Sequence, residues 1–304
     1  MKKRFFKFLE IVRRTFSGFG LRKIGFIGWI YDYLFSHSKP EYFEIDGRKI
    51  YTDKLDILQL YRSKEYTYED FINEVVRKEI KEGSVFLDLG AHVGFYTSMA
   101  AEAVGPNGKV FAFEPDPSNL EALKKTMAAN GYKNVILEQK AVSDKVGTAT
   151  FFLYGSTNNS MAPNLYDRKA DTLTVETISM DEYFSHRPEK IDFIKMDIEG
   201  AEGLALRGMR HIFEKNKKLK MMTEFAPVAI KKLSNMEPID FLKELLEIFD
   251  VFEINTEQKA LIPIFEMVNG KRVLNMKKAN ELIEEYTPKT DGECFGTNFL
   301  CVKG

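Results

Sequence analysis

The stretch VFLDLGAHVG, residues 85–94, decides how this chain reads. A short apolar run meets Gly90, and Gly94 then opens the helical stretch FYTSMAAEAV. Buried strand, glycine turn and helix in that order are the opening unit of an α/β sheet. The same rhythm continues outward. KVFAFEP (109–115) reads as a second strand, and the helix SNLEALKKTMAANG after it closes on Gly131. NVILEQKAVS (134–143) reads as a third strand. IDFIKMDIEG (191–200), LKMMTEF (219–225) and VFEIN (251–255) follow as the fourth, fifth and sixth, and FLCVK near the end as the last. TATFFLYG and TLTVETISM read as an inserted antiparallel piece, and residues 256–297 as irregular with one helix, KKANELIEEY. Upstream, YFEIDGRKIYT predicts a hairpin about Asp46-Gly47, and EYTYEDFINEVVRKEIKEG a helix. Strands alternating with helices imply a parallel sheet covered on both faces, with its ligand at the carboxyl ends of the strands.

Composition narrows the classes. With 44% hydrophobic residues, 25 Phe, 13 Tyr and a net charge of −1, the chain is not disordered. Its apolar runs fall short of the roughly 20 residues that a spanning helix needs. Two cysteines, Cys294 and Cys301, and four scattered histidines supply no disulfide framework and no zinc motif, so a reduced, cytoplasmic compartment is expected. Residues 1–40 carry a balance of +7 and the remainder −8. Within the leader, Phe5, Phe8, Leu9, Val12 and Phe16 form one helical stripe among Lys and Arg, without a signal-peptide pattern. Two readings stand: an interfacial helix placing residues 1–35 on an anionic membrane, peripheral to its inner face, or a helix packed on the body. An acidic body argues against a nucleic-acid partner. The expected organisation is a leader over 1–40, hairpin and helix over 41–82, and the sheet domain over 83–304.

The turn after the first strand is not a pyrophosphate cradle. That fingerprint needs glycines at 90, 92 and 95, where Gly90, His92 and Phe95 stand. Asp88, just before the turn, repels phosphate and attracts an ammonium group. Glu114, at the tip of the second strand, can accept both hydroxyls of a ribose. A ribose-bearing ligand with an ammonium and no phosphate describes S-adenosylmethionine. Lys195, Asp197 and Glu199 follow at period two on the fourth strand, and Glu224 ends the fifth.

VFLDLGAHVGFYT, VFAFEPDPSN, KAVSDKVGTATF, IDFIKMDIEGAE with Leu206 and Gly208, and the Glu224 strand together resemble the FkbM family of S-adenosylmethionine-dependent methyltransferases. The resemblance spans about residues 83–255. It implies a Rossmann-like class I methyltransferase fold: α/β, with seven mostly parallel strands in the order 3-2-1-4-5-7-6, flanked by helices and preceded here by a small N-terminal extension. On that fold Asp88, Gly90, Ala91 and Gly94 line the methionine end of the cofactor. His92, where the family often has Asn, stands at the pocket mouth. Glu114 holds the ribose between Pro115 and Asp116, and Ala141, Val142 and Ser143 lie against adenine.

Asp197 is the first candidate for a general base, with Glu199 and Glu224 as orienters of acceptor hydroxyls and Glu202 as a helix cap. The same carboxylates are a ligand set for Mg²⁺, though a site without metal is the expectation. Tyr68-Glu69 resembles a family pair that would roof the acceptor. The polar loop Asn158, Asn159 and Ser160, before Met161, would touch a sugar. The implied reaction is O-methylation of a sugar hydroxyl in a glycan, polysaccharide or glycolipid. Nitrogen methylation, or a membrane-docked module without catalysis, are the alternatives.

Overall fold

A computed structural model of the chain describes residues 40–52, 67–154, 159–163, 169–287 and 296–303, with Tyr33 and Leu165 besides; for residues 67–70 it describes the backbone alone. Both readings of the basic leader fall outside the described residues, as do Asn158 and the side chains of Tyr68 and Glu69.

In chain order the strands are β1 Tyr42–Ile45, β2 Arg48–Tyr51, β3 Val85–Leu89, β4 Lys109–Phe113, β5 Val135–Glu138, β6 Ala141–Val142, β7 Gly147–Leu153, β8 Asp171–Ile178, β9 Phe193–Met196, β10 Lys220–Phe225, β11 Asp250–Asn255, β12 Ala260–Pro263, β13 Phe265–Val268, β14 Lys271–Leu274 and β15 Thr297–Val302. The main sheet runs β12-β11-β15-β10-β9-β3-β4-β5. Its pairs from β5 to β10 are parallel, and β15 is antiparallel to both β10 and β11. This is the expected 3-2-1-4-5-7-6 order with one correction: β12 pairs antiparallel outside β11, so the sheet has eight strands. At an edge Pro263 is tolerated, because its missing N–H interrupts no inner ladder.

Two other stretches differ from their sequence reading. Residues 134–143 are not one strand. The chain leaves the main sheet after Glu138, and β6 joins β7 and β8 in a separate three-stranded sheet, parallel to β8. Residues 256–297 hold β12 and a hairpin of β13 and β14 as well as the helix Met276–Glu285. The hairpin turns on Asn269 and Gly270, both with positive φ, the requirement of a type I′ turn. Asp46 and Gly47 do the same between β1 and β2.

Alternation along β3 splits the core into two faces. Phe86 packs with Ile72, Val76 and Met99, and its ring stacks on Phe193 at 5.3 Å. Leu87 and Leu89 pack on the opposite face with Phe111, Phe113, Phe225 and Phe299. Removing a buried ring of this kind costs roughly 3–5 kcal/mol. The β1–β2 hairpin docks on the helix Pro117–Asn130, where Tyr51 N donates to Thr126 Oγ1 at 3.0 Å and Lys49 N to Asn130 Oδ1 at 2.9 Å. Phe43 and Ile50 pack against Val93, which buttresses the turn after β3 from behind. Topology reverses between β3 and β9, since the chain passes from β3 to β4 on one side and returns to β9 on the other. The carboxyl ends part there and open a crevice.

Candidate active site

The crevice holds about 1050 Å³, including its open mouth. Its floor begins at the turn after β3. Gly90 has φ +83°, and a Cβ there would lie 2.0 Å from the Asp197 carbonyl oxygen. The glycine is thus demanded by the neighbouring loop. Gly90 N and Ala91 N both donate to Phe113 O at 3.0 Å, tying the turn to β4. His92 also has positive φ, 51°, and its N–H donates to Glu114 Oε2 at 2.7 Å. Asn and His are among the residues that tolerate this left-handed backbone, which accounts for His where the resemblance expects Asn. Gly90, Ala91 and His92 line the crevice. Gly94 lies behind them, where a Cβ would meet Leu123 at 2.4 Å.

Asp88 is fully buried beneath the turn, away from the crevice wall. Its Oδ2 accepts from Thr97 Oγ1 at 2.6 Å, while Oδ1 stands 3.8 Å from Lys195 Nζ without a hydrogen bond. Burial pushes its carboxyl upward, and Lys195 and the Thr97 hydroxyl pull it back.

Glu114 faces the crevice although only 4% exposed. Besides His92, it accepts from Asp116 N at 3.0 Å and Asn119 Nδ2 at 3.3 Å. Three of about four carboxylate acceptor positions are therefore filled by the protein. Burial raises its pKa to about 7, against the pull of those donors. Pro115 lines the wall, whereas Asp116 caps the next helix, accepting from Ser118 N at 2.8 Å and from Asn159 Nδ2 at 2.9 Å. Ala141 and Val142 line the far side. Ser143 sits behind them, donating to Asp144 Oδ1 at 3.2 Å.

At the other end β9 runs out into Asp197, Ile198 and Glu199. Asp197, with 40% of its side chain exposed, and Glu199 both reach the crevice. Glu199 has φ 54° and Gly200 φ 99°, an unusual pair of left-handed residues. Ser160, itself fully buried, pins that turn by donating Oγ–H to Glu199 O at 2.6 Å. Glu202 accepts from Ile198 N at 2.9 Å and, being fully buried, is pushed up to about 7. Glu224 is held well above the usual carboxyl range, by burial first and then by the charges of Asp197, Glu199 and Glu202. Its Oε2 is buried without a partner, and its side chain lies beside Gly296 and off the crevice wall. Among the described residues no His, Cys, Asp or Glu cluster is arranged to hold a metal ion.

The structure adds wall residues that sequence reasoning gave no part in binding: Phe95, Tyr96, Lys140, Phe151 and Lys195. Asn159 and Met161 of the polar loop also reach the crevice. Lys195 was the legible one, a lone ammonium inside the apolar run IDFIKMDI.

A family model described as the methyltransferase FkbM domain matches residues 88–252. Protein-L-isoaspartate O-methyltransferase 1 of Archaeoglobus fulgidus is 34% identical over 59 residues, 19% of this chain and 27% of that protein. The matched stretch is thus about a quarter of that curated relative. Among solved structures, methyltransferase FkbM from Methylobacillus flagellatus aligns at TM-score 0.39 and 15% identity over 66% of this chain and 56% of that one. Fibrillarin from Aeropyrum pernix with bound S-adenosyl-L-methionine aligns at TM-score 0.42 and 13% identity over 86% and 81%.

Proposed function

Because this chain belongs to the FkbM family of S-adenosylmethionine-dependent methyltransferases, we propose that it methylates an oxygen acceptor, a hydroxyl of a carbohydrate. The observation that carries this reading is a partly exposed carboxylate, Asp197, at the crevice end of β9, across the crevice from Glu114. The residues present suit the cofactor. Glu114 keeps one acceptor position for a ribose hydroxyl, and Pro115, Ala141 and Val142 offer an apolar wall for a flat base. The backbone of Gly90–His92, on the crevice wall, would hold the methionine end.

The bound cofactor supplies an electrophilic methyl group on a sulfonium. The chain must place an acceptor oxygen in line with it and take the hydroxyl proton. Asp197 accepts that proton at a carboxylate oxygen. Glu199 accepts hydrogen bonds from neighbouring acceptor hydroxyls, and Asn159 can both donate and accept on the opposite wall. Glu224, behind Asp197 and off the crevice wall, favours its protonated form, because burial and the charges of Asp197, Glu199 and Glu202 oppose its ionisation.

The test pairs calorimetric titration of the purified protein with S-adenosylmethionine and transfer of labelled methyl to a panel of free glycans and glycolipids. Asp197→Ala is expected to lower turnover by about 10²–10⁴-fold, the usual worth of a positioned base, with cofactor affinity nearly unchanged. Turnover of that variant at the wild-type rate would overturn the assignment of the base. Label on amines alone would overturn the choice of oxygen.

A further inference from the structure

Lys195 has no role in that reading, yet it stands at the centre of the site. It is 4% exposed and projects from β9, its backbone in register with Asp88 of β3 on one side and Met222 of β10 on the other. Its Nζ donates to Gly90 O at 2.9 Å, lies 3.5 Å from Asp197 Oδ2 and 3.8 Å from Asp88 Oδ1, and sits 5.4 Å from the Tyr96 ring centroid. The charged groups around it are Asp88 from β3, Asp197 from the end of β9 and Glu224 from β10. Glu199 and Glu202 add their charge to Asp197 and Glu224 at the same end. Burial by itself would depress the ammonium, but Asp197 and Asp88 outweigh it and hold Lys195 above the ordinary lysine range.

An ammonium out of water is costly, and a methionine would fill the same slot without that cost. The charge is kept where one hydrogen bond reaches the cofactor-side turn and one ion pair reaches the acceptor-side carboxylate. We infer that Lys195 is a positioning residue: it engages one oxygen of Asp197, leaving the other to the acceptor, and locks that carboxylate to the Gly90 turn. This rests on Asp197 being the base.

A double-mutant cycle tests it, with Lys195→Met, Asp197→Asn and the pair, reading kcat and acceptor KM by label transfer and cofactor binding by calorimetry. Lys195→Met is expected to lower kcat by about 10²-fold, the worth of a misplaced reacting group, with little change in KM or cofactor affinity. The double variant is expected to be no slower than Asp197→Asn. Lys195→Met leaves Asp88 buried without its counter-charge, so the same comparison is run in an Asp88→Asn background, where the charge pair is removed as a unit.

Equal loss from Lys195→Met with and without Asp197 would overturn the inference, because Lys195 would then act independently. Loss of cofactor affinity with kcat unchanged would overturn it too. Wild-type turnover of Asp197→Asn would remove the base itself, a different failure visible in the single variant alone.

Discussion

The two ends of the crevice are built on opposite principles. At the β3–β4 end the wall's acceptors are largely taken by protein donors. Glu114 takes three protein hydrogen bonds, Asp116 caps a helix and ties down Asn159, and the Phe113 carbonyl takes two N–H groups. At the β9–β10 end Asp197, Glu199 and Glu202 crowd around Glu224 with Lys195 as the neighbouring ammonium, and Glu202 Oε2 and Glu224 Oε2 are buried without partners. Satisfied polar networks are rigid, whereas crowded carboxyls with spare acceptors retain free energy that a proton or a hydroxyl can release. A rigid end suits a constant ligand, and an unsatisfied end suits chemistry.

The strongest way to break this contrast is at the seam. Gly90→Ala adds a Cβ 2.0 Å from Asp197 O at a left-handed backbone position. It is expected to cost roughly 2–6 kcal/mol, from strain and overpacking together. Urea unfolding measures it, and a loss below about 1 kcal/mol would mean that the two ends are not locked together.

Glu114 sharpens the contrast through pH. A carboxyl raised from 4.5 to about 7 keeps its proton in the fold where the unfolded chain has lost it. Its contribution to stability is therefore fully present below pH 4.5 and fades as pH rises through 7; the same holds for Glu202. Ribose hydroxyls donate best to the ionised form, so cofactor affinity should rise between pH 6 and pH 8, around that value. Glu114→Gln puts an amide N–H against a protein donor. It is expected to weaken cofactor binding by about 5–30-fold, the worth of one or two kcal/mol of unsatisfied polar group, and to flatten the pH trend in calorimetry. A pH trend that survives in the variant would assign it to another group.

The smallest effect belongs to His92. Asn at this position is expected to change stability by no more than about 0.5 kcal/mol, because both side chains tolerate the left-handed backbone. Val should cost about 1–3 kcal/mol. Thermal unfolding separates the two, and equal melting of both variants would show that the backbone does not choose the residue.

Much of this was readable in advance, for a definite reason. A strand buried on both faces has to be an apolar run, so β3, β4, β9 and β10 announce themselves, and glycines mark the turns that follow. The smaller pieces carried weaker signals. β12 is four residues with a proline, and β6 only two. The β13–β14 hairpin had its signal in Asn269-Gly270, but it was masked by the mixed polarity of strands exposed on one side.

The succession of strands and helices along the chain, the turn that excludes pyrophosphate and the acidic residues at strand tips follow from the chain itself, because each is a local pattern of residue type and spacing; the order of strands within the sheet came from the family resemblance. Which of those residues face the crevice does not. Asp88 and Glu114 are both acids at the end of apolar strands, yet one is sealed beneath the turn and the other reaches the wall. Contacts between β3 and β9 decide that difference, across more than a hundred residues of chain: Lys195 on Gly90 O, and Asp197 O against Gly90. Burial and charge depend on distances in space, and only the packed sheet sets those.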